Sequence, residues 1–265
     1  MKQRVISAAV ALAILIPLLV IGGVPMYFGV GVIALLAYRE IVMLKESHQK
    51  LPDLMKVVGA FCLLLLVFVR FAGYYLVTGI SYQAVSILLL CMLIPAIFYK
   101  EKNYTTKDAF FMVGAILLLG IVFNTLILVY NLNKWYLVYL LLITIMNDSF
   151  AMILGTMIGK HKLIPSVSPK KSVEGSVCGL ALGTFISVLF FINVIKVPIN
   201  TVVLVLMTLF LSAMGQLGDL LFSKIKRENN IKDFSNIMPG HGGILDRLDS
   251  LAIVLLAFAI IVKFI

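Results

Sequence analysis

Asp219, Asp246 and Asp249 are the residues of this chain whose types and spacing point most directly to chemistry. Asp246 and Asp249 stand three apart and share one helix face. Asp219 lies one helical turn before Ser223, where an apolar run gives way to Lys224-Ile225-Lys226-Arg227. Carboxylates at an aqueous entrance suit Mg²⁺, which takes one or two of them and completes its shell with phosphate oxygens and water. The competing reading is that Asp246 or Asp249 only caps a helix, since acids are favourable near a helix N-terminus anyway. Two basic clusters surround the acids: Ser168-Pro169-Lys170-Lys171, and Lys224 to Arg227 with Lys232 close behind. Cationic anchoring to anionic lipid accounts for part of this charge, but not for the turn Pro239-Gly240-His241-Gly242-Gly243, whose backbone N–H groups and following helix dipole can hold phosphate. Metal, cations and glycine turn together describe a polyphosphate site. His241 is read as a phosphate contact, because an ionised phosphate nucleophile needs no general base.

These residues are positioned by a chain that is dissolved in lipid. Of its 265 residues 62% are hydrophobic and 13% charged, far from the balance of a soluble domain. Charge and turn punctuation predicts nine apolar segments, at about 5–24, 26–38, 57–77, 81–99, 108–130, 135–158, 173–195, 198–222 and 247–264, each compared with the roughly 20 residues that cross a bilayer. The second is short enough to be re-entrant. Of the 22 Lys and Arg, eighteen fall in connections that alternate onto one side, three on the other, and Arg70 lies inside a segment. The positive-inside rule then puts the N-terminus in the cytoplasm and the C-terminus outside. The fold class expected is an all-α, polytopic integral membrane protein with about nine spans. Residues 1–130 form N-terminal membrane helices without a motif, and 131–265 form a catalytic membrane core with cytoplasmic loops.

Two acids fall inside predicted spans, Asp148 and Asp219. A carboxylate there costs about 2.5 to 3.5 kcal/mol even on lenient insertion scales, so function is the default explanation. Asp148 lies ten residues before Ile158, about 15 Å along a helix. With Asn147 beside it, a polar cavity and a structural hydrogen-bond network fit equally well. The three cysteines sit singly in apolar stretches and give neither a disulfide framework nor a zinc site. Gly155 to Lys160 imitates a phosphate-binding loop but is one residue short, has His161 where Ser or Thr should hold Mg²⁺, and follows a helix. Gly155 and Gly159 are better read as helix packing. The apolar run after Lys2 and Arg4 lacks a cleavage site and reads as a retained helix.

At these positions the sequence resembles the phosphatidate cytidylyltransferase family. Ser223, Lys226, Arg227, Lys232, Asp233, Ser235, Pro239, His241, Gly242, Gly243, Asp246, Arg247 and Asp249 stand at places matching its signature. Asn147-Asp148, Gly155, Gly159-Lys160 and Ser168 to Gly175, including Glu174, resemble its other shared blocks. Met238 and Met152 depart from the usual residues. The resemblance covers 147–249 and implies transfer of CMP from CTP to phosphatidic acid, giving CDP-diacylglycerol and pyrophosphate at the inner (cytoplasmic) membrane. It implies Mg²⁺ on Asp219, Asp246 and Asp249, with a second cation left open. Lys226 and Arg247 join Asp219 and Asp246 as catalytic groups. Asn147, Asp148, Ser168, Lys170, Lys171, Glu174, Arg227, Lys232, Asp233, His241, Gly242 and Gly243 would contact CTP or lipid phosphate. Membrane lipid is a further partner, a homodimer is compatible with this reading, and nucleic acid is not expected. A CTP-dependent lipid-alcohol kinase is the nearest alternative, and a cation-coupled transporter using Asp148 and Asp219 the more distant one.

Overall fold

The computed structural model describes residues 13, 16–69, 82–100, 103–238, 240 and 242–262. Nine helices are traced over them: α1 (Gly23–Glu46), α2 (Asp53–Phe68), α3 (Tyr82–Leu93), α4 (Pro95–Phe98), α5 (Thr106–Leu132), α6 (Lys134–Ile158), α7 (Val173–Phe190, prolonged by a π turn Phe191–Ile195), α8 (Thr201–Glu228) and α9 (Leu245–Ile261). A short antiparallel pair, β1 (Lys162–Ile164) and β2 (Ser168–Ser172), is registered Lys162 to Ser172 and Ile164 to Ser168. Helices α1, α5, α6, α7 with its π turn, and α8 are long and apolar enough to cross a membrane. The chain is a helical, multi-pass membrane protein.

Several boundaries differ from the sequence expectation. Half of the first predicted segment, and residues 70–81 of the third and fourth, lie outside the described residues. The second segment is not a short or re-entrant piece: α1 runs unbroken for 24 residues to Glu46. Arg39, Glu40, Lys45 and Glu46 read as a loop by polarity, yet three of them have partners within reach. Lys45 pairs with Asp108 at 2.6 Å, Glu46 accepts from Lys56 at 2.8 Å, and Glu40 is buried among donors. The hairpin was also unforeseen, because Ser168-Pro169-Lys170-Lys171 reads as loop chemistry.

The chain forms two compact units, Met1–Ile127 with Asp233–Asp246, and Leu128–Lys232 with Arg247–Ile265. The stretch 233–246 falls in the same compact unit as the N-terminal helices. In the first unit, Thr105 and Asp108 start α5 with a reciprocal cap: the Thr105 N–H and hydroxyl donate to the Asp108 carboxylate at 2.8 and 2.7 Å, and the Asp108 N–H donates back at 3.2 Å. Asn124 on α5 donates to the carbonyls of Leu66 and Val67, satisfying the end of α2. In the second unit Asn133, Ser172 and Asn200 cap α6, α7 and α8, each accepting a backbone N–H two or three residues on.

Helices α6 and α7 lie unusually close. Gly155 and Gly159 on α6 face Ser172 and Gly175, while Gly175, Gly179 and Gly183 on α7 face Ala151, Gly155 and Asn147. A Cβ on Gly179 would stand 2.6 Å from the Asn147 carbonyl oxygen, so this interface admits no larger residue. The small-residue reading of Gly155 and Gly159 is correct, and its partner is the α7 glycine stripe. Gly179→Leu should overpack the interface at a cost of about 1–3 kcal/mol and lower the melting temperature of the detergent-solubilised protein by several degrees. Val177→Leu, at an exposed position of the same helix, should leave it unchanged. Equal melting temperatures for the two variants would contradict this close approach.

Candidate active site

The second unit gathers acids and lysines from four elements. Asp219 on α8 is paired with Lys171, which β2 presents just before the α7 cap, and accepts from the Ser223 hydroxyl one turn on at 3.2 Å. Asp148 on α6 and Asp249 on α9 both lie close enough to Asp219 to repel it, and to each other. Lys171 acts on Asp148, and Lys226 on Asp249, with opposite charge. Asp249 also accepts from the Ser250 N–H at 2.7 Å. Gly218 explains how α8 and α9 bring two acids together, for a Cβ there would meet the Asp249 carbonyl oxygen at 2.8 Å. Lys226 is 8% exposed, so its ammonium group is held inside rather than spread over a lipid surface. Asp148 retains exposed surface, and Asp219 and Asp249 are half-buried.

A polar layer adjoins this cluster. The buried Asn147 amide donates to the Ser212 carbonyl at 2.9 Å, and its oxygen accepts from Gln216 at 2.7 Å. Gln216 also donates to the Ser176 carbonyl at 2.9 Å and accepts from the Ser176 hydroxyl. For Asn147 the structural network is therefore what the fold shows. Gln216 and Ser176 were missed by sequence reasoning. The available signal was an amide three residues before Asp219, on the same face of an otherwise apolar helix.

The first unit holds the glycine turn. Met238 and Gly242 exchange backbone hydrogen bonds at 2.9 and 3.1 Å. Gly242 has φ +85, where a side chain would be strained and its Cβ would meet Asp246 Oδ2 at 2.8 Å. Asp246 Oδ2 accepts from the Phe234 and Gly243 N–H groups at 2.8 and 2.9 Å. Asp233 lies beside the same turn. Thus the N–H groups of Gly242 and Gly243, expected at phosphate, are donated to Met238 and Asp246, and the turn is a mount for Asp246. His241 and Pro239 lie outside the described residues.

The remaining predicted residues are distributed around these centres. Ser168 and the exposed Lys170 share β2 with Lys171. Arg227 donates to the carbonyls of Val167 and Ile231, tying the hairpin turn to the end of α8. Glu174 accepts from the N–H groups of Lys160 and His161 and pairs with the His161 ring at 2.6 Å, closing the α6–α7 connection. Lys232 and Arg247 are exposed. Among the described residues no three His, Cys, Asp or Glu side chains form a ready metal cage.

A helical membrane chain that gathers acids and lysines from four elements fits one class, a membrane-embedded nucleotidyltransferase. The chain belongs to the cytidylyltransferase family, whose pattern it matches over residues 2–265. It is 32% identical over 258 residues to the phosphatidate cytidylyltransferase of Bacillus subtilis, covering 96% of this chain and 95% of that one. It is 34% identical over 257 residues to the same-named protein of Staphylococcus haemolyticus and 33% identical over 259 residues to that of Staphylococcus aureus, each covering 96% of both chains.

Gln216→Leu leaves the Asn147 oxygen and Ser176 without their partner. A buried polar group so orphaned costs about 1–3 kcal/mol, and thermal unfolding followed by intrinsic fluorescence should show the corresponding drop. An unchanged transition would mean that water replaces Gln216 at no cost.

Proposed function

We propose that this chain transfers CMP from CTP to phosphatidic acid at the cytoplasmic membrane, releasing pyrophosphate and forming CDP-diacylglycerol. The observation that carries this reading is the cluster of Asp148, Asp219 and Asp249 with Lys171 and Lys226, in a chain whose relatives are named for this activity. A phosphate oxygen of phosphatidic acid attacks the α-phosphorus of CTP. The new P–O bond forms as the bond to the β-phosphate bridging oxygen breaks, and the electron pair leaves with pyrophosphate. The nucleophile is already ionised, so no base is required. Two polyanions must be brought together, and positioning and charge neutralisation carry most of the barrier reduction. Lys171 and Lys226 would serve that neutralisation, joined by Lys170, Arg227, Lys232 and Arg247.

Magnesium fits the donor set, since carboxylate oxygens are hard ligands and no complete protein cage is needed when phosphates fill the shell. Of the three acids expected at the metal, Asp219 and Asp249 of the second unit would hold it, and it would supply charge neutralisation to the phosphates, while Asp246 is proposed as a catalytic group on the family signature. A second cation belongs to the same proposal.

Purified protein with CTP, Mg²⁺ and phosphatidic acid should yield a CMP-bearing lipid and pyrophosphate by mass spectrometry. CDP with a phosphorylated alcohol would mark a kinase instead. Asp219→Asn and Asp246→Asn should each lower kcat by about a hundredfold or more while inserting and purifying normally. A destabilised but catalytically normal Asp219→Asn would return that acid to a structural role.

The orientation proposed is nine spans with the N-terminus inside and the C-terminus outside, supported by the charge asymmetry. In a variant lacking Cys62, Cys91 and Cys178, Ser235→Cys should react with an impermeant thiol reagent only from the cytoplasmic side. Labelling of intact cells from outside would invert that topology.

A further inference from the structure

Glu40 carries the most demanding interaction that the sequence analysis left without a role. It lies in α1, it is 0% exposed, and no residue of the signature includes it. Its carboxylate reaches across 195 to 205 residues of sequence to the segment carrying Asp246. Oε1 accepts from the Ser235 hydroxyl at 2.6 Å and the Ile244 N–H at 2.7 Å, and Oε2 accepts from the Leu245 N–H at 2.8 Å. Of the last two donors, Leu245 opens α9 and Ile244 directly precedes it, so both N–H groups lie at a helix N-terminus, where such groups have no partner within the helix and attract negative charge. Glu40 therefore serves as the N-terminal acceptor of α9, supplied from another helix.

The same contact explains Gly243. A Cβ at that position would collide with the Glu40 carboxylate, so the glycine is required by the approach of Glu40. Two acids thereby grip one turn at neighbouring donors. Asp246 Oδ2 holds the Phe234 and Gly243 N–H groups, and Glu40 holds Ser235 and the N–H groups of Ile244 and Leu245, directly before Asp246.

We propose that Glu40 is a positioning residue for the reaction: its buried carboxylate fixes the 234–245 turn and thereby the place and orientation of Asp246. This rests on the reading of Asp246 as a group essential for cytidylyl transfer. Glu40 touches no reacting atom on this account. Its carboxylate is suited to the task in a way that an amide is not, since both oxygens accept, whereas glutamine would turn an N–H toward either the Leu245 N–H or the Ser235 and Ile244 donors.

The test compares Glu40→Gln, Ser235→Ala, Asp246→Asn and the unaltered full-length protein in kcat, KM for CTP, melting temperature, and hydrogen exchange of the peptide spanning 233–246. Glu40→Gln should lower kcat by about ten- to a hundredfold, the range expected when a reacting geometry is loosened, with KM for CTP changed less than about threefold. Exchange should accelerate at Ile244 and Leu245. Ser235→Ala removes one of three donors and should show the same pattern more weakly, and it carries the test if Glu40→Gln does not insert. A Glu40→Gln enzyme that melts earlier but keeps wild-type kcat, beside an inactive Asp246→Asn, overturns the inference alone. Lost kcat with unchanged exchange in 233–246 also overturns it, because Glu40 would then act elsewhere. Wild-type kcat in Asp246→Asn overturns the underlying reading, and with it the role that Glu40 serves.

Discussion

A carboxylate withdrawn from water costs several kcal/mol unless donors or cations meet it, and much of this structure is arranged around that demand. Asp108 is met by Lys45 and by its own capping threonine. Asp219 is met by Lys171 and Ser223, Asp246 by two backbone N–H groups, and Glu40 by three donors. Several of these partners come from a different element, so the acid also ties one part of a unit to another. The exception is the cluster in which Asp148, Asp219 and Asp249 repel one another. Three carboxylates there face two ammonium groups, so the cluster is the one place among these acids where negative charge is not matched by its neighbours.

Close backbone approach is the second requirement, and glycine provides it at two places with different consequences. Along α6 and α7 the stripe of Gly175, Gly179 and Gly183 fixes how near the helices lie, and so brings β2 and Lys171 within reach of α8. At Gly218 the missing side chain lets α9 pass α8 at the level of two acids. In hydrocarbon, where apolar burial drives association weakly, such fit between small residues supplies much of the contact energy.

How much of this was legible in the sequence depended on the kind of signal. Helical, membrane-spanning character followed from hydropathy, and the family followed from the spacing of residues between Asn147 and Asp249, although its match extends over 2–265. Asp219 and Lys171 were both singled out, but their pairing was not, because the two are 48 residues apart and no local pattern couples them. Glu40 was assigned to a loop since polarity ends an apolar segment in any hydropathy reading, and only its three-dimensional partners make it an interior residue. The glycines of the signature were read as phosphate-binding, whereas Gly243 makes room for Glu40 and Gly242 adopts a positive φ beside Asp246. Sequence spacing shows that a glycine is needed there and not which atom presses against it.

The link between Glu40 and the start of α9 also has a consequence for biosynthesis. At about 5–20 residues per second, the chain between residue 40 and residues 244 and 245 takes roughly 10 to 40 s to emerge. Throughout that interval α1 is in place while the three donors that satisfy its acid do not yet exist. The acceptor needs a temporary partner, whether water, lipid head group or insertion machinery, until the start of α9 emerges and releases it. Formation of the turn before Asp246 thereby waits on synthesis of α9, so a ribosome product truncated before α9 carries an unsatisfied acid in α1.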